Sequence, residues 1–266
     1  KQSRPLWRLP KFCINQKLGH IMLTKSIKAA IIDHANRDYP REACGVIIGK
    51  EYIPCKNIAT DDAQFEIDPI DLVGAGKEGE IRAYVHSHPD GNVLPSQPDR
   101  VQMNLHGLPW VITNGIDVAL HKPDGYQAPL LGREYHHGLM DCYSLVKDYY
   151  QRELSITLND YERTDEWWTD AKSQPLYVDN FKKEGFVEVD TIQQHDLILC
   201  RLGRTEHINH ALVFIGDGTL KSERTEDVIG DCLVLHHPYG RDSIREIYGE
   251  NWQRRAAMII RHKDLL

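Results

Sequence analysis

Apolar residues in IMLTKSIKAAIIDHANRDYP recur at helical spacing and stop before Pro40, which predicts an amphipathic helix over residues 21–39. Two short apolar runs follow, CGVIIG and EYIPCKNIA, and they predict a hairpin turning at Gly49-Lys50. A helical or mixed segment is expected over 69–77. Beyond it come a strand in IRAYVHSH, a helix over about 96–105, and strands in PWVITNG and DVALHKP. Helix and strand alternating over short connections argue for a compact α/β or α+β unit of about a hundred residues.

The stretch KPDGYQAPLLGR sets two prolines and two glycines between patterned segments, which marks a linker. It is placed at 123–133, between a first domain at 21–122 and a second at 134–266. The second opens with a helix in DCYSLVKDYYQREL and passes through a polar, Trp-bearing middle. Strands follow in HDLILCRL and INHALVFIGDG, and LVLHHPYG, SIREIYG and AAMIIRH give two more strands and a turn. No internal repeat or low-complexity tract interrupts the pattern.

At 266 residues and 41% hydrophobic, the chain can bury one large core or two ordinary ones, and the linker favours two. No window approaches the ~18 consecutive apolar residues of a membrane-spanning helix. A formal charge of −7, with aromatics not interleaved among Lys and Arg, leaves no wide basic surface for nucleic acid. The first stretch, KQSRPLWRLPKFCINQKLGH, is basic but lacks the continuous apolar core of a signal peptide. It is expected to be a poorly structured arm over 1–20, or alternatively a docking peptide for an acidic partner. Cysteines at 13, 44, 55, 142, 200 and 232 show no CxxC spacing, which fits synthesis in a reducing cytoplasm. Cys44 and Cys200 lie in apolar runs and are expected to be buried.

The stretch YVHSHPDGNVLPSQPD carries the first candidate chemistry. On a strand, His86 and His88 share a face, so both imidazoles can aim at one point while Ser87 faces away. Two imidazoles and a carboxylate suit zinc, and the Pro-rich turn allows Asp99 to supply the carboxylate. Each piece also has a plain reading: strand-end histidines, Ser96 and Asp99 as a helix capping box, Glu42 as a solvated strand end. Taken as a set they favour a metal centre, because a zinc centre that activates water needs a base such as Glu42 beside it. Glu42, H-x-H-P at 86–89 and S-x-x-D at 96–99 together resemble the JAMM metallopeptidase family, also called JAB or MPN domains. The resemblance covers about 21–122. It implies a curved mixed sheet with flanking helices, His86, His88 and Asp99 as zinc ligands, Glu42 as general acid/base and Ser96 as the hydroxyl supporting the oxyanion. Peptide or isopeptide hydrolysis is the implied chemistry. The extra loop of ubiquitin-linkage-specific members is not evident, so polyubiquitin is not the expected substrate.

Cys142 stands at a helix start behind Asp141, a plausible N-cap, where the helix dipole is expected to lower its thiol pKa. A nucleophilic thiol needs a histidine, and His210 opens an alternating strand that ends in a Gly-Asp-Gly turn. His195-Asp196-Leu197-Ile198 followed by the His210 strand resembles the paired central strands of the NlpC/P60 cysteine peptidases. That resemblance covers about 130–262 and implies a papain-like fold, with Cys142 as nucleophile, His210 as base, His236 as the residue orienting it and Tyr135 helping to hold the oxyanion. His237 is the fallback for His236, since Leu233 and Leu235 alternate with His237 rather than His236. Tyr143-Ser144 replaces the usual serine-glycine after the nucleophile, and TLKSERTEDVIGD resembles an insertion.

A JAMM domain followed by an NlpC/P60 domain resembles the tail-tip assembly proteins of long-tailed phages, the family of the lambda tail protein K. The resemblance implies an α+β chain that cleaves the peptide stems of peptidoglycan during genome delivery. Its metallopeptidase would cut another stem bond or process an assembly partner. Other tail-tip proteins are the implied partners, with assembly in the host cytoplasm and action from the virion tail tip at the cell wall. The rival reading is a structural tail-tip module whose zinc and cysteine sites serve folding or docking without turnover.

Overall fold

The computed structural model describes residues 21–164, 166–228 and 230–266, so the arm expected at 1–20 lies outside the described residues. The chain divides into two units, one ending at Gln127 and the other starting at Ala128.

In the first unit, helix α1 (Lys25–Asp38) starts at Thr24, whose hydroxyl accepts the Ile27 N–H at 3.2 Å. Strands β1 (Cys44–Ile48) and β2 (Glu51–Cys55) form the hairpin, followed by α2 (Pro69–Glu78), β3 (Ile81–Ser87), α3 (Gln97–His106), β4 (Trp110–Thr113) and β5 (Val118–His121). The sheet order is β2-β1-β3-β4-β5, with β3 and β4 parallel and the other pairs antiparallel. Parallel neighbours need a crossover, and α3 supplies it, so the HSHP turn sits between the end of β3 and the start of α3. Both sheet faces are covered. Ile47, Ala83, Val85 and Val111 pack with Ile27 and Ile31 of α1, while Val46, Tyr84 and Trp110 pack with Leu72 of α2 and Met103 of α3. Double burial explains the unbroken apolar runs of β1 and β4. Gly45 is required at its position: a Cβ there would lie 2.4 Å from the Ile53 carbonyl oxygen and against the Tyr52 ring.

In the second unit, α4 (Cys142–Leu154) precedes the short α5 (Leu176–Asn180) and strands β6 (Phe186–Glu188), β7 (Leu197–Cys200), β8 (His210–Gly216), β9 (Leu233–His236) and β10 (Ile244–Ile247), then α6 (Glu250–Gln253) and β11 (Ala256–His262). The sheet order is β10-β9-β8-β7-β11-β6, antiparallel throughout. Leu145, Val146, Tyr149 and Tyr150 of α4 share one core with Ala211, Val213, Leu233 and Leu235. On the other face, Ile198, Leu212 and Val234 pack with Tyr248 and Trp252. Strand β9 is therefore buried on both faces. Asp196, which is fully buried ahead of β7, accepts from both Nε and Nη2 of Arg261 at 2.8 Å. The insertion after β8 is tied down at its start, where the Glu223 carboxylate accepts the Leu130 and Leu131 N–H groups at 2.8 and 2.9 Å and meets Arg152. Elements α5, β6 and α6 are too short to leave a periodic trace in the sequence.

Candidate active sites

In the first unit, the β1–β3 register sets Cys44 opposite His86, and the Ser87 N–H reaches the Ala43 carbonyl at 2.9 Å. Carried two residues further, that register brings Glu42 opposite His88. Ser87 faces the other side and accepts the Ala43 N–H at 2.8 Å, which ties the two strand ends together. Nε2 of His86 and Nε2 of His88 lie 2.9 Å apart, and the Asp99 carboxylate oxygens sit 3.4 and 3.2 Å from them. Asp99 is held by the cap of α3. Its carboxylate accepts the Ser96 N–H at 2.8 Å, and its own N–H reaches the Ser96 hydroxyl at 3.2 Å. The Ser96 hydroxyl thus serves the helix cap. Phe65 stacks on His86 at 4.6 Å and Trp110 meets it edge-on at 5.3 Å, giving the site an apolar floor.

These atoms fit a divalent cation. His88 Nδ1 donates to the Asn92 carbonyl at 2.9 Å, so in the neutral ring Nε2 carries the lone pair. A second ring nitrogen and a carboxylate converge on that lone pair, with all three ligand atoms within 4.8 Å of one another. One cation satisfies all three, where without it a proton must sit between the rings. The donor set of two imidazoles and a carboxylate matches zinc chemistry. Burial pushes the Glu42 carboxyl up to about 7, despite the opposing pull of His86 and His88, and Asp99 and Asp61 add to the rise. A carboxyl poised there suits proton transfer near neutrality.

In the second unit, Asp141 caps α4 through a reciprocal pair: its carboxylate accepts the Ser144 N–H at 2.9 Å and its own N–H donates to the Ser144 hydroxyl at 2.6 Å. The buried carboxylate also takes Arg163 Nε at 2.7 Å and the Gly138 N–H at 3.0 Å. Burial would raise its pKa, but Arg163 outweighs this and holds it near 2. Cys142, the first helical residue, meets the Tyr177 hydroxyl at 3.2 Å. Its thiol differs from the sequence expectation. Burial, joined by the Asp141 charge, pushes it up to about 11, against smaller lowering from Tyr177, the Ala211 backbone and Arg163. The lowering expected at a helix start is not met, because burial and the Asp141 charge both oppose the thiolate.

Packing of α4 on β8 brings Cys142 and His210 to one cleft of about 260 Å³, which Tyr135, His237, Trp168 and Tyr239 also line. Burial, with His236 and His237 nearby, pushes His210 down to about 3, so both thiol and imidazole are neutral at rest. His210 Nε2 lies 2.9 Å from His236 Nδ1. The other nitrogen of His236 is 2.6 Å from Glu246, whose same oxygen accepts Trp252 Nε1 at 2.9 Å. His237 lies on the cleft side, edge-on to Tyr135 at 5.3 Å. Its ring nitrogens lean toward the Asp141 and Arg133 backbone without completing a hydrogen bond. The Tyr135 hydroxyl meets His137 Nδ1 at 3.1 Å. Sequence reasoning missed Tyr177, Glu246 and Trp252. A register for β10 against β9 would have exposed Glu246, which shares a face with Ile244, the partner of His236.

The depressed histidines make a stability prediction. Burial, joined by the Arg133 charge, lowers His237 from 6.5 to about 4, so between those values the unfolded chain binds protons that the folded chain refuses. Stability from this group is full above 6.5 and is lost as pH falls toward 4. The shift corresponds to ~3 kcal/mol. His237→Gln is expected to flatten that loss in urea melts taken at pH steps across the window; slopes equal to wild type would mean His237 protonates freely in the folded protein.

Residues 24–124 match the model of prokaryotic homologs of the JAB domain, and residues 132–261 match the NlpC/P60 family. The chain is 34% identical over 244 residues to the tail tip assembly protein K of Escherichia phage N15, covering 89% of this chain and 94% of the relative. It is 36% identical over 200 residues to the protein of the same name from Escherichia phage lambda, covering 74% and 89%. Among solved structures, a protein from Desulfitobacterium hafniense aligns with 36% of this chain and 78% of its own, at 23% identity and a TM-score of 0.33.

Proposed function

Because this chain belongs to the family of the phage tail tip assembly protein K, with a JAB domain followed by an NlpC/P60 domain, we propose that it is a tail-tip peptidase whose second unit cleaves peptidoglycan stem peptides. One arrangement carries the reading: Cys142 and His210 line a single cleft, with His236 directly behind His210. As sulfur attacks the scissile carbonyl carbon, His210 takes the thiol proton and then gives it to the leaving amine, and water afterwards releases the acyl group from sulfur. His236 holds the imidazole of His210 in one orientation. Tyr135, on the cleft wall, is the hydroxyl for the developing oxyanion. Other tail-tip proteins are the partners during assembly in the host cytoplasm, and the cell wall is the place of action. Release of peptides from purified sacculi tests this. A folded chain that releases none is a structural tail-tip module instead.

For the first unit, the reading is a zinc peptidase or isopeptidase acting on a stem bond or an assembly partner. His86, His88 and Asp99 would hold zinc, which would supply Lewis acidity for peptide-bond hydrolysis. Glu42 takes and returns the protons of that reaction, and Ser96 offers its hydroxyl to the oxyanion beside the Asp99 carboxylate. Elemental analysis of native protein is expected to find one zinc per chain, and His88→Ala to lose it. Intact protein that takes up no metal when zinc is supplied sinks this assignment.

A further inference from the structure

We propose that Glu246 is a positioning residue for His210, acting through His236 so that Nδ1 of His210, the nitrogen His236 leaves free, carries a lone pair. The inference rests on the cysteine-peptidase reading and extends it past the pair of histidines. A carboxylate only accepts, so Nε2 of His236, at 2.6 Å from Glu246, must carry a hydrogen. The neutral His236 ring then has its lone pair on Nδ1. His210 Nε2, at 2.9 Å, must therefore be the donor, and the one nitrogen left to His210 is Nδ1, unprotonated. One carboxylate at the end of the chain thus sets the tautomers of two rings. Trp252 keeps that carboxylate in place, since its Nε1 donates to the same oxygen at 2.9 Å. Its indole also stacks on His210 at 5.8 Å and meets His236 edge-on at 4.8 Å, so both rings are gripped in plane.

The charge has a second use. When the thiol proton reaches Nδ1, His210 becomes an imidazolium inside a buried site, and Glu246 offsets that charge through two hydrogen bonds without itself taking a proton. Among the described residues, Arg255 places its guanidinium 5.7 Å over the Trp252 ring, and the nearby charges of the cysteine side are paired. Asp141 meets Arg163 on the cysteine side, and Arg133, beside His237, meets Asp148 at 2.6 Å. Glu246 comes from edge strand β10 and is 40% exposed at its side chain, so its replacement leaves the core intact.

The test follows iodoacetamide alkylation of Cys142 in the full chain against pH, read on the Cys142 peptide by mass spectrometry. Glu246→Gln keeps an acceptor oxygen and removes the charge; it is expected to shift the profile upward and slow alkylation near neutrality about tenfold. Glu246→Asp should recover part of the loss. Trp252→Phe, which frees the carboxylate, should move the profile in the same direction and keeps the test alive if the glutamine variant is unstable. A role in folding alone leaves the profile of every folded variant on that of wild type, and that result overturns the proposal. No wall substrate is involved, so a shifted profile in a chain that releases nothing from sacculi retains the relay and removes the peptidoglycan reading.

Discussion

Cys142→Ala is expected to lower peptide release from sacculi by ~10⁴-fold or more, while Asp99→Ala leaves most of it. Alanine removes the only atom that can form the acyl-sulfur bond, and the hydroxyl of half-buried Tyr177, 3.2 Å from the sulfur, is a poor substitute because its pKa lies well above the ordinary tyrosine range, chiefly from desolvation. His210 without a thiol can still polarise water, which limits the loss to a finite factor. Asp99 belongs to the first unit, and its loss dismantles a ligand set that shares no residue with the cysteine cleft. Release measured on wild type and both variants from the same sacculi decides between the sites. Loss with Asp99→Ala and retention with Cys142→Ala would transfer wall hydrolysis to the metal centre.

The neutral resting state of the cysteine site shapes how that loss should be read. With the thiol near 11 and His210 near 3, the pair holds its proton on sulfur until a carbonyl arrives. In the peptidase reading, His210 would take the proton as sulfur attacks, so the alignment of His210 would matter more than the resting thiolate population. This places weight on the groups behind the imidazole rather than on the helix dipole in front of the sulfur.

The strands and long helices were legible because their apolar residues face cores at fixed periods, as Ile27 and Ile31 of α1 do. The start of α1 was not: apolar Ile21 suggests an earlier onset, yet the hydroxyl of Thr24 ends the extended segment and opens the helix. Within the sites, the His86–His88 pair could be read from strand geometry alone, since two residues apart means one face. Glu42 could be named only through the family motif, because its place beside the pair depends on the β1–β3 register. Tyr177, Glu246 and Trp252 were out of reach. Each arrives from an element too short for a pattern or on a register no local signal sets. The thiol shift was misjudged for a different reason: the dipole is a local property of a helix start, whereas burial and the Asp141 charge depend on the whole fold.

His236→Ala is expected to slow turnover by ~10²-fold or more, and His237→Ala to do so far less. Strand alternation alone pointed the other way, since His237 shares its side with Leu233 and Leu235. That argument needs one face to be buried and the other wet, and β9 has no wet face: Leu233 and Leu235 enter one core and Val234 the other. The face of Val234 also carries His236, and there Trp252 and Glu246 close around the ring. Removing His236 leaves His210 Nε2 without its acceptor, so the ring loses the bond that fixes its tautomer and must face the imidazolium stage without the Glu246 charge. His237 makes no completed ring hydrogen bond, and its loss opens space beside Tyr135 without touching His210 Nε2. Steady-state turnover of the two variants, measured side by side with the pH dependence of Cys142 alkylation, separates orientation from packing. A crippled His237→Ala beside a near-normal His236→Ala would move the orienting role one residue along the chain.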